Sequence, residues 1–199
     1  MKTIVNLLTI SRIPLIILFA YFSIVNNIKQ KPFIFFINIF ILIIIGITDF
    51  LDGYLARKYK VTTKFGEYID PLMDKIFFAI VFPVLAYLAG VNNEKIHLLI
   101  LIFLIIIFWI RDLIVTFLRI FAEKYNIKPG ASMWGKIRTF STFYIVILIY
   151  YFLQKPKTFP EISPTILYIV EGYLIIYTLI TLITYIKQFL PAIKKELKY

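Results

Sequence analysis

Six stretches of the chain run almost free of strongly polar residues, near 7–26, 33–56, 70–90, 96–121, 135–153 and 164–190. Each approaches or exceeds about 20 residues, the length at which an α-helix crosses a hydrocarbon layer roughly 30 Å thick. The connections between them are short, and none is long enough to form a domain. The pattern therefore predicts an all-α, polytopic membrane protein, a single domain over 1–199, with six transmembrane helices around a polar cavity that faces the cytoplasm. Pro32, Pro71, Pro129, Pro160 and Pro164 fall at predicted helix ends, where a missing N–H costs nothing; Pro14 and Pro83 fall inside spans and predict kinks.

One stretch breaks the apolar pattern. Between Gly46 and Phe77 the chain places Asp49, Asp52, Asp70 and Asp74 at the edges of two otherwise apolar runs. An aspartate at a bilayer centre costs roughly 2.5–3.5 kcal/mol, so these carboxylates need compensation. At about 100° per residue, Asp49, Asp52, Gly53 and Ala56 share one helix face, and Gly66, Asp70 and Asp74 share a face of the next helix. Facing carboxylates with small residues beside them suit a hard cation and leave room for a ligand to approach the backbone. The same carboxylates could instead pair with lysines or line an ion path.

Composition supports the membrane reading and narrows the chemistry. Hydrophobic residues make up 61% of the 199, well above the 45–50% or so of soluble domains. There is no cysteine, so a metal would be held by oxygen. The net charge of +11 lies in the connections and not on a soluble basic face, which argues against nucleic acid and for topology signals or anionic phosphate. Arg57, Lys58, Lys60, Lys64, Lys124, Lys128, Lys136, Arg138, Lys187, Lys194, Lys195 and Lys198 fall on one side; Lys29, Lys31, Lys95, Lys155 and Lys157 fall on the other. The positive-inside rule then puts both termini and the aspartates at the cytoplasmic face of a cell (inner) membrane. The first span lacks a small-residue cleavage site and reads as retained.

The residues in this stretch carry a resemblance. Asp49-x-x-Asp52-Gly53-x-x-Ala56-Arg57, eight residues, then Gly66-x-x-x-Asp70-x-x-x-Asp74 resembles the signature of the CDP-alcohol phosphotransferases, integral membrane enzymes of phospholipid synthesis. The resemblance implies that Asp49, Asp52, Asp70 and Asp74 hold Mg²⁺ or Mn²⁺, as two ions, and that Asp74 is the base for the acceptor hydroxyl. It also implies that Gly53, Ala56, Arg57 and Gly66 receive the CDP and its pyrophosphate. Such chemistry needs divalent charge near the transferred phosphoryl group and a base within hydrogen-bond reach. Asn6-x-x-Thr9-x-x-Arg12 at the entrance to the first span is similar to the start of one branch, and Asn6 and Thr9 are further candidates for the nucleotide side. Both also suit an ordinary helix start, and Arg12 suits a snorkelling side chain.

A second constellation is basic. Arg111 and Arg119 lie in a span otherwise rich in Leu, Ile and Phe, and Gly135-Lys136-Ile137-Arg138-Thr139 opens the next. This pattern resembles the phosphatidylglycerophosphate synthase branch, which implies transfer of the phosphatidyl group from CDP-diacylglycerol to glycerol 3-phosphate with release of CMP. Arg111, Arg119, Lys136 and Arg138 would then hold the acceptor phosphate. The competing reading makes Asp112 and Arg119, seven residues apart on one face, a structural ion pair. Because Phe140-Ser141 follows where a more polar continuation belongs, two other acceptors stay open: inositol phosphate, and phosphatidylglycerol for cardiolipin. Outside this class stands a small cation transporter or channel. A homodimer through an apolar helix face is expected. His97 reads as solvated on the side away from the aspartates, the run from Leu98 to Phe108 as lipid-facing, and Glu171 has no assigned role.

Overall fold

The computed structural model describes residues 2–29, 31–59, 64–124 and 133–196, with side chains over 7–28, 31–55, 58–59, 72–119 and 141–191 and those of Ile69 and Ala122. Six helices follow one another: α1 (Lys2–Lys29), α2 (Pro32–Lys58), α3 (Lys64–Val91), α4 (Lys95–Lys124), α5 (Met133–Gln154) and α6 (Pro164–Glu196). Five contain apolar segments long enough to cross a membrane: Leu7–Ile28, Pro32–Leu55, Leu72–Val91, Lys95–Arg119 and Pro164–Pro191. In α5 the described apolar part, Ser141–Gln154, is shorter, although the 22-residue helix is about 33 Å long. Helices are the form in which such segments satisfy their own backbone in lipid. Large apolar side chains such as Ile28, Phe33, Leu99, Leu113 and Ile169 point away from the protein interior and are exposed, as lipid-facing residues are. The expected all-α membrane architecture is therefore observed.

Pro32 and Pro164 open α2 and α6 as expected. Pro71 does not open a helix: α3 begins earlier, at Lys64, because the polar turn before the apolar run is itself helical. Pro129 and the rest of 125–132 lie outside the described residues, as does the 60–63 connection. The end of α3 is locally encoded. Asn93 takes a left-handed φ of 62°, its N–H meets the Gly90 carbonyl at 3.2 Å, and the Glu94 N–H meets the Ala89 carbonyl at 2.9 Å. These two bonds cap the last carbonyls of α3, with Asn in the role that often falls to Gly.

The chain forms two compact units, Met1–Leu101 with Val146–Ile162, and Ile102–Ile145 with Ser163–Tyr199. In the first unit α1 packs on α2 and α3. The buried positions of α1 recur at Thr9, Arg12, Ile16, Phe19, Ser23 and Asn26, a stripe that is polar at both ends and apolar in the middle. The matching stripe of α2 runs through Phe35, Asn38, Leu42, Ile45, Thr48 and Asp52. The contacts Thr9–Asp52, Arg12–Asp49 and Ser23–Asn38 keep a single antiparallel register along the pair.

Asn38 anchors that register from the middle. It is fully buried and donates to Ser23 Oγ at 3.1 Å and to Tyr150 Oη at 2.7 Å, while the Tyr150 ring packs edge-on to Phe19 and stacked on Phe35. Asn38→Ala should therefore destabilise the protein by about 1–2 kcal/mol, the range of interhelical hydrogen bonds in membranes. Thermal unfolding in detergent would show it; an unchanged midpoint would mean that aromatic packing alone sets the register.

Two expectations are corrected at the α4 start. His97 is buried, with its ring centroid 5.0 Å from that of Phe152, because the helix turns this face toward α5 and away from solvent. The Leu98–Phe108 run is not uniformly lipid-facing: Leu101, Leu104 and Phe108 are buried, while Leu99, Ile102, Phe103 and Ile106 are exposed, the three-to-four-residue alternation of a half-buried helix.

In the second unit Val115, Leu118, Ala122, Tyr185 and Phe189 form the core where α4 meets α6, flanked by Ile114, Leu182 and Ile186. Glu171, Thr178 and Thr181 are fully buried along α6. The two threonines return their hydroxyls to the helix, to the Leu174 carbonyl at 2.7 Å and the Thr178 carbonyl at 2.8 Å.

Candidate functional site

Within the first unit the helical stripe of α2 presents Asp49 and Asp52 to α1. Asp52 is buried and Asp49 partly so, and the buried guanidinium of Arg12 spans them, Nη1 on Asp49 Oδ1 and Nη2 on Asp52 Oδ2. Thr9, one turn before Arg12 on the same face, donates from Oγ1 to Asp52 Oδ2 at 2.9 Å. The antiparallel register fixes this meeting, joining residues 37 to 43 positions apart in the chain. A guanidinium that gives one nitrogen to each of two carboxylates is a strong charge-assisted arrangement. It answers the cost of placing Asp49 and Asp52 in an apolar span. Arg12 is therefore no snorkelling side chain: its head lies inside the helix pair because its counter-ions do, and its Nε has no hydrogen-bond partner among the described residues.

Arg12 and Thr9 engage Asp49 Oδ1 and Asp52 Oδ2, which leaves Asp49 Oδ2 and Asp52 Oδ1 uncommitted among the described residues. Two carboxylates that already converge on one positive group, each with an oxygen to spare, fit a hard cation by type. Asp74 stands on α3 with its side chain partly exposed. Among the described residues no group of three or more acidic or histidine side chains gathers as a metal site. The side chains of Asn6, Ala56, Arg57, Gly66 and Asp70 lie outside the described residues, as do those of Lys136 and Arg138.

The second unit holds the remaining basic candidates. Arg111 is buried, donates from Nη1 to Asp112 Oδ1 at 2.6 Å, and places its guanidinium carbon 5.0 Å from the Tyr185 ring centroid. Arg119 is exposed. Among the described residues Asp112 pairs with Arg111, and not with Arg119 as the competing reading had it. Two turns of helix separate Asp112 from Arg119 by about 10 Å along the axis, whereas the long Arg111 side chain folds back onto its neighbour. The cation–π contact with Tyr185 holds the Arg111 head in place.

The residue that the pattern of the chain undervalued is Arg12. Its signal was present: an arginine three residues after a threonine, on the one face of α1 that also carries Ser23 and Asn26. Which carboxylates it would meet depended on the α1–α2 register.

Comparison with known proteins shows the family. The family described as CDP-alcohol phosphatidyltransferase matches residues 2–186. A protein of Rickettsia typhi named CDP-diacylglycerol–glycerol-3-phosphate 3-phosphatidyltransferase is 33% identical over 75% of this chain and 77% of its own length. Proteins with that name from Haemophilus influenzae, 33% identical over 87% of each chain, and from Aquifex aeolicus, 32% identical over 67% of each, are similar too. With the motif spacing complete, its first carboxylate pair set on α2 against Arg12 of α1, and the family match running over 2–186, the chain belongs to the CDP-alcohol phosphatidyltransferase family.

Proposed function

We propose that this membrane protein transfers the phosphatidyl group of CDP-diacylglycerol to glycerol 3-phosphate, yielding phosphatidylglycerophosphate and CMP. The observation that carries the reading is the Asp49–Asp52 pair, the first partly buried and the second buried, convergent on Arg12 and placed within a complete family motif. The shared name of relatives at about a third identity supports the acceptor.

In this reading Asp49, Asp52, Asp70 and Asp74 would hold Mg²⁺ or Mn²⁺, in two sites. When bound, the ions neutralise charge on the phosphoryl group and its leaving phosphate. Arg12 and Thr9 hold Asp49 and Asp52 in place through one oxygen each, which leaves the other oxygens available to an ion. Asp74 takes the proton of the acceptor hydroxyl, with Asp70 one turn before it on the same face. Gly53 and Ala56 let the nucleotide lie against α2, with Gly66 and Arg57 at the pyrophosphate; Asn6 joins Thr9 on the nucleotide side. Arg111, Arg119, Lys136 and Arg138 receive the acceptor phosphate. Of the two described arginines, Arg119 is the exposed one and the first choice for direct contact. The charge bias favours a cytoplasmic site in the cell membrane, and exposed apolar faces leave area for a homodimer.

The test is CMP release by purified protein given CDP-diacylglycerol, Mg²⁺ or Mn²⁺, and a panel of acceptors. Release with glycerol 3-phosphate is expected, lost on chelation and restored by the ion. Release only with inositol phosphate or phosphatidylglycerol would move the protein to another acceptor. Cation flux without CMP would make it a transporter. Arg119→Ala should raise KM for glycerol 3-phosphate about tenfold or more with kcat little changed, the loss of one charged contact made alike in ground and transition states. An unaltered KM would remove Arg119 from the acceptor site.

A further inference from the structure

At the end of the first unit away from the aspartates, a cavity of about 410 Å³ opens among Asn26, Asn27, Lys31, Phe35, Gln154 and Lys157. Arg12 and Asn26 lie on the same buried face of α1, separated by about 21 Å of helical rise. The cavity sits where the first apolar segment ends at Ile28, the second starts at Pro32, the third ends at Val91, and α5 ends at Gln154. That is the depth of lipid phosphates, at the membrane surface opposite the carboxylate pair.

Its walls are rich in donors and hold no acid among the described residues. Asn26 Nδ2 donates to Gln154 Oε1 at 3.0 Å, Gln154 Nε2 to Asn27 Oδ1 at 3.2 Å, and the Lys31 backbone N–H to Asn26 Oδ1 at 3.1 Å. Asn92, also on the wall, ties the α3 turn to the end of α5 by donating to the Leu153 carbonyl at 2.6 Å. The bonds hold the amides in place and take up their carbonyl oxygens, leaving the Asn27 Nδ2 donors uncommitted. Lys31 and Lys157 are exposed, and neither ammonium has a partner among the described residues; Lys155 pairs with Glu161 at 3.4 Å. Phe35, Pro32 and Pro156 supply an apolar wall, and Ile28 and Phe33, next in the chain to Asn27 and Pro32 of that wall, are exposed.

We propose that this cavity binds the phosphate of an anionic phospholipid headgroup. The lysines and the Asn27 amide meet the phosphate oxygens, the apolar wall takes the glycerol and ester region, and the acyl chains leave past Ile28 and Phe33. A cation would find no carboxylate in the wall, and a free phosphate would leave the apolar side unused. The site does not depend on the transfer reaction.

Native mass spectrometry of the purified protein in detergent, with phosphatidylglycerol or phosphatidylcholine of equal chain length, tests this. The wild type should retain phosphatidylglycerol in preference. Lys31→Gln with Lys157→Gln should weaken the variant-sensitive binding about 30-fold, as two lysines near a membrane surface do, and Lys31→Arg with Lys157→Arg should keep it. Should the double glutamine variant fold poorly, Lys157→Gln alone should still show about a fivefold loss. Equal preference in wild type and glutamine variants would overturn the proposal. So would inorganic phosphate binding that depends on these lysines without retention of lipid.

Discussion

Arg12→Ala is expected to destabilise the protein by about 3–5 kcal/mol, the cost of removing one partner from a buried ion pair. The effect is large because one guanidinium serves two carboxylates, Asp49 and Asp52, in a span that offers them little else. Arg12→Lys should recover only part of the loss, since an ammonium lacks the fork that reaches both acids at once. Thermal or denaturant unfolding in detergent measures this. The same experiment with Mg²⁺ separates two roles of the acids. If Asp49 and Asp52 are metal ligands, the ion should stabilise Arg12→Ala more than the wild type, because it replaces the missing charge. A variant as stable as the wild type without metal would show that the Arg12 ion pair contributes nothing to stability.

Asp74→Asn is expected to lower CMP release by about 10²–10⁴-fold, the usual contribution of a general base. Asparagine keeps the shape of the side chain and cannot take a proton. The unfolding midpoint, measured alongside, separates a loss of turnover from a loss of fold. Donor binding should persist, and the loss should fall on kcat more than on KM. Turnover within a few-fold of the wild type would remove Asp74 as the base. Loss of donor binding with retained kcat would make it a ligand alone.

The two variants probe parts of the site that differ in how far the chain reveals them. Asp74 is marked by local spacing: it follows Asp70 by four residues and so shares its face on α3. Nothing beyond helical periodicity is needed. Arg12 has no such mark. Its partners are 37 and 40 residues away, and its position was compatible with a side chain reaching back to the membrane surface. The choice between those outcomes was made by how α1 and α2 slide against each other, which Asn38, Ser23 and Tyr150 help to set. Arg111 follows the same logic. Its proximity to Asp112 is local, but its burial depends on Tyr185 arriving from α6. His97 looked solvated from its polar neighbours Glu94 and Lys95 and is enclosed because Phe152 of α5 covers it.

By itself, then, the sequence determined the helices, their approximate limits, the membrane setting, and the spaced carboxylates, glycines and arginine that mark the family. All of these are written in periods of three to four residues or in runs of about 20, which a single helix expresses alone. Tertiary structure decided which cation meets Asp49 and Asp52, which arginine Asp112 binds, and that amides from α1 and α5 join lysines around a cavity at the other end of the first unit. Those outcomes turn on register between helices distant in the chain, and in an apolar setting a buried polar group settles on whatever partner that register brings within reach.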